Sequence, residues 1–401
     1  QVTDLHVSRY HTVGGIAHLM HFLRTTLPLI SPSMVVATGD LTDAKSEVEK
    51  AGVQFEDEWQ TYHRLLKESG ALDKAGGQFW HDLRGNHDCF SVPDWSHRRN
   101  FYRKYGASPN RTGWAFDMQQ SYGRYTFVAA DGCPQPGPGR LYNFFGYLDT
   151  ADMDTFAARI DSARTANHTI MLNHYPVTTM VFGATSDGRG LGDMLQGYKP
   201  TGFMELELPD LKLTASYRVL AVDHDLISIA DRLLELPEIP YPITSVELPE
   251  KLPSSPVVLI TNPKDARYAL PQHEPLARIR RSTHIRALVF ADADVREVQV
   301  WLDGERKDDM RYSGTGTRDG SPGSFIPLWT AAWNAADFDD GRAHQLRVVV
   351  VDAQGRTGED STTFRVDGER ETLHAGVSGF IIQSDLEHFV SLLQRVFDAA
   401  R

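Results

Sequence analysis

Four short polar clusters recur along the first part of this chain, three of them closing an apolar stretch. Asp4-Leu5-His6 stands at its start, Gly39-Asp40 follows "MVVAT", Gly85-Asn86-His87-Asp88 follows "GQFWHDL", and Asn173-His174 follows "HTIML". Carboxylates, imidazoles and an amide oxygen suit borderline divalent cations such as Mn, Fe or Zn better than they suit thiolate or Cu(I) chemistry. A single D-x-H triplet or Gly-Asp pair reads as an ordinary strand end or turn. Four such clusters in order at successive strand ends point instead to one shared centre. Two cations about 3.5–4 Å apart clamp a phosphoryl group and acidify a water near neutral pH. In that reading Asp40 is the natural bridge.

The elements that must position these groups follow from periodicity. Residues 14–30 carry apolar groups at helical spacing, and "SMVVATGD" reads as a short buried strand ending in a turn. A helix over "FEDEWQTYHRLLKESG", stopped by Gly70, precedes the strand that ends at Gly85. "GRYTFVAADG" is a further strand, and the helix "DMDTFAARIDSARTA" leads into the strand "HTIMLNHYP". Alternating strands and helices indicate an α/β layered domain with its chemistry at strand ends. In a strand Asp4 and His6 face one way while Leu5 enters the core. "LKLTASYRVLAVD" and "DLISIAD" suggest a hairpin that closes this domain, residues 1–232.

Repeated proline over residues 233–255 removes backbone donors and marks a linker. Residues 256–369 then show short β-rich runs separated by turns, as expected of a small β-sandwich. Residues 370–401 read as an amphipathic helical segment that packs on a neighbouring domain.

Composition excludes several classes. A formal net charge of -12 repels polyanions, so no nucleic-acid partner is expected. With only Cys89 and Cys133, no disulfide scaffold, CxxC zinc site or thioredoxin motif can be built, and a single disulfide is left open. No Walker loop, nucleophile-elbow serine or dinucleotide fingerprint occurs. No apolar run approaches the roughly 18 residues of a membrane span, so the chain as written is expected to be soluble. Its opening on Gln1 leaves a leader or anchor upstream unexcluded. Asn110-Arg-Thr112 and Asn167-His-Thr169 are N-glycosylation sequons, which suit a lumenal or extracellular face. Tyr142, Phe144 and Phe145, in a Pro/Gly-rich loop, either pack in the core or line a substrate cleft.

D-x-H, G-D, G-N-H-D and a later histidine resemble the calcineurin-like metallophosphoesterase superfamily over roughly residues 1–230. The resemblance implies a sandwich of two mixed sheets flanked by helices, acting on a phosphate ester with two divalent metal ions. Carried over by position, Asp4 and His6 bind the first metal, Asp40 bridges, and Asn86 and His174 bind the second. His87 contacts or protonates the leaving oxygen, oriented by Asp88, while an activated hydroxide attacks phosphorus in line. Longer stretches, among them "DLHVSRY", "ATGDLTDAK" and "HEPLARIRRSTHIRALVFA", extend the likeness through both domains to a membrane-anchored branch of the superfamily. That likeness implies an immunoglobulin-like second domain and membrane-spanning helices outside these residues. This region would then face the lumen or the extracellular side.

One departure stands out. The superfamily ends its site with G-H-x-H, and this chain has no such motif; the next histidine after His174 is His224. Three readings stay open: a segment missing from this chain, a natural pseudoenzyme, or His224 acting as a substitute ligand. Loss of imidazoles that would bind metal directly predicts weak or single-metal binding. Two functions follow, an impaired metal-dependent phosphoesterase or a non-catalytic scaffold that keeps the fold.

Overall fold

In the computed structural model, which describes residues 1–10, 15–45, 52–139, 144–191, 204–236, 253–315 and 325–371, the run Val35–Ala37 (β1) is buried on both sides. Successive strand residues point to opposite faces. Val35 and Ala37 accordingly join an apolar cluster beneath helices, while Val36 joins Leu83, Trp114, Ala129 and Leu172 between two sheets. A continuous hydrophobic run is what a strand covered on both faces requires.

The first layer is built on β1 and Trp80–Asp82 (β2), which pair in parallel. Residues 1–8 extend it on the other side through Val2 N to Val36 O at 2.9 Å and Val7 N to Leu41 O at 3.0 Å. The antiparallel hairpin Ser216–Asp223 (β8) and Leu226–Leu233 (β9) continues the layer, with Arg218 N bonded to Gln1 O at 2.9 Å. The second layer holds Trp114–Gln120 (β3), Gly123–Ala129 (β4) and His168–Leu172 (β6), with β4 antiparallel to β3 and parallel to β6. Gly146–Leu148 (β5) and Met180–Phe182 (β7) form a separate parallel pair.

Helices cover the outer faces. The predicted helix over 14–30 is present as Gly15–His21 (α1), a π-helical turn Phe22–Thr26, and Leu27–Ile30 (α2). Glu56–Glu68 (α3) buries Trp59, Tyr62, Leu65 and Leu66 at helical spacing, carries three acids in its first turn, and is followed by Gly70 at φ 73°. Thr150–Ala163 (α4) is capped by Asp149, whose carboxylate accepts the Asp152 amide at 2.9 Å, and packs on β4 and β5. Among the described residues no helix is long and apolar enough to cross a membrane.

The second domain is a sandwich of two four-stranded sheets. One orders Val257–Asn262 (β10), His284–Phe290 (β11), Leu328–Ala332 (β15) and Arg311–Tyr312 (β14); the other orders Glu305–Arg306 (β13), Val295–Leu302 (β12), His344–Asp352 (β16) and Thr357–Phe364 (β17). Alternation places Val298, Val300, Leu302, Leu346, Val348 and Val350 in its core. The strand β10 joins the two domains: Val258 and Ile260 face the sandwich core, and Val257 and Leu259 face the core of the first domain. Residues 237–252 of the linker expected at 233–255, and residues 372–401 of the helical segment expected at 370–401, lie outside the described residues.

Three contacts lock the second layer to the turn that follows β2. Cys89 and Cys133 form a disulfide, Trp114 Nε1 donates to Asp82 O at 2.7 Å, and Arg84 forms a two-bond ion pair with Asp131 at 2.8 and 3.2 Å. Both charges are almost wholly buried, at 2% and 1% side-chain exposure. Removing one partner of a buried pair leaves an uncompensated charge and costs about 3–5 kcal/mol. Arg84→Ala is therefore expected to lower unfolding stability by about that amount in urea titration; an unchanged midpoint would contradict this role for the pair.

Candidate metal centre

The site forms because residues 1–8 run parallel to residues 36–43. Asp4 N bonds Gly39 O at 3.0 Å and His6 N bonds Asp40 O at 2.8 Å, which sets the two acid-bearing segments side by side. The segment is not the regular strand expected from its alternation. Asp4, His6 and Asp40 have φ of 52°, 46° and 50°, left-handed values that cost roughly 1–3 kcal/mol for a non-glycine residue and recur at functional sites. Leu5, between them, is fully buried as expected.

Two glycines permit the approach of the remaining groups. A Cβ on Gly39 would lie 2.6 Å from His174 Nδ1, and one on Gly85 would lie 2.2 Å from Asp40 Oδ1. Asp40 is thereby held between two sides. Its Oδ1 accepts the His87 amide at 2.8 Å and lies 3.5 Å from His174 Nε2; its Oδ2 lies 3.4 Å from His6 Nε2 and 3.8 Å from His87 Nε2. Two triads, Asp4/Asp40/His174 and His6/Asp40/His87, each bring one ligand atom per residue within 4.8 Å, and Asp40 belongs to both. The Asn86 amide oxygen sits 2.9 Å from His174 Nε2. This donor set fits two divalent cations sharing one carboxylate. Asp4 lies near both His6, with its Oδ1 3.5 Å from His6 Nε2, and His174, and His87 lies with His6.

Hydrogen bonds fix the imidazoles. His174 Nδ1 donates to Thr38 O at 2.9 Å and His87 Nδ1 donates to Asp43 O at 2.6 Å, so each turns Nε2 toward Asp40. Burial opposes the charge on His6, but bonds to Asp4 and Asp43 and the nearby Asp40 outweigh it and raise its pKa to about 9. Burial likewise opposes ionisation of Asp4, yet His6 and His174 hold its pKa down at about 2. Burial, with repulsion from His6 and Lys45, lowers His87 to about 4 against the pull of Asp40.

Asp88 departs from the expectation that it orients His87. Its carboxylate accepts the amides of Gly85, Leu41 and Thr42 at 2.8–3.0 Å, so it ties the Gly85 turn to the loop after Asp40. Burial, together with the Asp40 charge, pushes its pKa up to about 7 despite those amides. The His6 and His87 imidazoles are oriented by Asp43, which sequence reasoning passed over. Its Oδ1 lies 2.9 Å from His6 Nδ1 and 3.0 Å from Lys212 Nζ, and its carbonyl holds His87. The available signal was position: Asp43 lies three residues beyond Asp40, on the same loop. His224 does not join the centre. It sits exposed at the β8–β9 turn, 2.6 Å from Asp223, which removes it as a substitute ligand. Phe144 and Phe145 are exposed and lean on each other at 4.4 Å rather than packing in the core, and Tyr142 lies outside the described residues.

Layered mixed sheets with acidic and imidazole groups converging on one carboxylate at their strand ends define the metallophosphoesterase class. The chain belongs to the calcineurin-like phosphoesterase family, whose model matches residues 1–201; a second model, the TMEM62 Ig-like domain, matches residues 252–370. Transmembrane protein 62 of Mus musculus is 33% identical over 408 residues, covering 97% of this chain and 58% of the mouse protein. An Arabidopsis thaliana protein named "Putative metallophosphoesterase" is 25% identical over 443 residues, covering 92% of this chain and 57% of its own length. The chain therefore spans somewhat over half the length of these relatives. No solved structure matches it.

Outer-shell partners of ligating histidines commonly set metal affinity within about 10–100-fold. Asp43→Asn is expected to weaken binding of Mn or Zn by a factor in that range in calorimetric titration, with unchanged circular dichroism. Equal affinity in the variant would remove Asp43 from the site's support.

Proposed function

We propose that the chain is a metal-dependent phosphoesterase that hydrolyses a phosphate ester, with residues 1–232 as the catalytic unit and 256–369 as an immunoglobulin-like companion. The observation that carries this reading is the membership of Asp40 in both triads. Asp4, His6, Asp40, Asn86 and His174 would hold two divalent cations, Mn, Fe or Zn. Bound there, such cations neutralise phosphoryl charge and make water acidic enough to serve as nucleophile. His87, aimed at Asp40 through Nε2 beside His6, would stand next to the cation there and contact the leaving oxygen of the ester. Asp88 and Asp43 act one step back, holding the loop and the rings.

A second reading, a binding scaffold, is favoured by one fact: the chain has no Gly-His-x-His. Elemental analysis of the purified chain, alongside hydrolysis of phosphomonoester and phosphodiester substrates with added Mn, separates the two. The enzyme predicts bound metal and hydrolysis, with both reduced by at least about 100-fold in Asp40→Ala, since losing a ligand exceeds the outer-shell range. A metal-free, inert protein favours the scaffold.

We further infer that this region faces an oxidising compartment, the lumen or the cell exterior. Support comes from the buried Cys89–Cys133 disulfide, a bond that persists chiefly in such compartments. The two sequons differ in structure. Both asparagines are exposed, but the Asn110 side chain is engaged only through Oδ1, by Thr112. Asn167 donates Nδ2 to Asp225 at 3.0 Å, accepts the Arg124 amide, and occupies the space a Cβ on Gly123 would need. Expression through an animal secretory pathway should give a glycosidase-sensitive band shift that disappears in Asn110→Gln and persists in Asn167→Gln. No shift in the parent chain, or one lost only in Asn167→Gln, contradicts this assignment.

A further inference from the structure

The first turn of α3 holds a buried carboxylate that the metal centre does not use directly. Glu58 is 1% exposed, and its two oxygens accept two main-chain amides: Oε1 takes that of Arg9 and Oε2 that of Ala44, both at 3.0 Å. Arg9 lies three residues beyond His6, and Ala44 follows Asp43. One side chain thus braces both segments that leave the centre. Burial pushes its pKa up to about 7 against the pull of the two amides. A buried group so costly to ionise is explained if both of its acceptors are needed, because a carboxylate offers two acceptor oxygens and a glutamine amide only one.

The Ala44 bond reaches the site through a single peptide plane. A trans peptide is flat, with its N–H and C=O pointing opposite ways. The peptide joining Asp43 to Ala44 gives its N–H to Glu58 and its C=O to His87 Nδ1, the latter at 2.6 Å. Turning that plane would withdraw the acceptor that keeps a proton on Nδ1, and such a bond decides which imidazole nitrogen carries it. The same helix turn grips His87 a second time: Trp59 Nε1 donates to Gln54 Oε1 at 2.9 Å, and Gln54 Nε2 donates to His87 O at 2.7 Å. Trp59 and Tyr62 fix α3 in the apolar core, so both grips start from an immobile helix.

We propose that Glu58 is a positioning residue for His87, acting through the Asp43–Ala44 peptide to hold the ring with Nδ1 protonated and Nε2 turned toward Asp40. For metal binding, this inference rests on the phosphoesterase reading; for the ring itself, it stands on the hydrogen bonds alone.

The test uses the full 401-residue chain, metal-free and labelled with 15N-histidine, above the ordinary imidazole pKa. His87 should show a protonated Nδ1 and a bare Nε2. In Glu58→Gln, and in Glu58→Asp, whose carboxylate is one methylene too short to span both amides, the two ring nitrogens should shift toward averaged values. Calorimetric titration with Mn should find affinity about tenfold weaker in both variants, the lower end of the range for groups behind a metal's ligands. Glu274→Gln is the control for general destabilisation. Glu274 is also buried and accepts two amides, those of Ile227 and Leu270 at 2.8 and 2.9 Å, but in the second domain. Its substitution should lower the unfolding temperature while leaving the His87 signals and Mn affinity unchanged.

Unaltered His87 signals in both Glu58 variants overturn the proposal, as does an equal change in Glu274→Gln. A parent protein whose His87 carries its proton on Nε2, or whose Ala44 amide exchanges rapidly with solvent, overturns it whether or not any variant folds. If the parent binds no Mn, the phosphoesterase reading fails and the ring signals alone decide the role of Glu58.

Discussion

The first-domain site depends on backbone proximity. Residues 1–8 lie along residues 36–43 closely enough for main-chain hydrogen bonds, and Gly39 and Gly85 leave no Cβ between that ladder and the turns facing it. The close approach puts one carboxylate, Asp40, where each of its oxygens meets a different set of imidazoles. Left-handed backbone at Asp4, His6 and Asp40 is the local cost, and the surrounding ladder keeps those conformations in place. The fold thus spends stability on aim, a pattern that separates a functional constellation from a chance gathering of polar side chains.

Rigidity around this ladder comes from the contacts behind it. Arg84 and Asp131, the Cys89–Cys133 disulfide and the Trp114 bond to Asp82 O all join the second layer to the residues on either side of the Gly85 turn. His174 reaches the centre from that second layer, at the end of β6, so its distance to Asp40 depends on how the layers are fastened. Asp88 fastens the same turn to the loop after Asp40. The chemistry of the site and the stability of the sandwich are therefore properties of the same few residues.

The second domain is more than an appended module. Because β10 is buried on both faces, its odd and even residues belong to different cores, and the two domains share a strand's worth of apolar surface. Ion pairs between Asp223 and Arg286 and between Arg232 and Asp360 cross the same joint. Motion of one domain against the other would have to break these contacts.

Much of this was legible in the chain itself. The polar clusters at residues 39–40, 85–88 and 173–174 showed because each ends an apolar run, that at 4–6 because an acid and an imidazole alternate about a leucine, and the alternating runs after residue 256 announced a sandwich. Helices with strong periodicity, such as Glu56–Glu68, were equally plain, since spacing alone decides which face is buried. Tertiary structure decided the rest. Which acid lies beside which imidazole, the turning of Asp88 to amides and of Asp43 to imidazoles, the meeting of Cys89 with Cys133, and the exclusion of His224 all depend on segments distant in sequence. Local pattern reports what a residue offers, whereas partnership is set by how layers cross, and no short window of sequence contains that crossing.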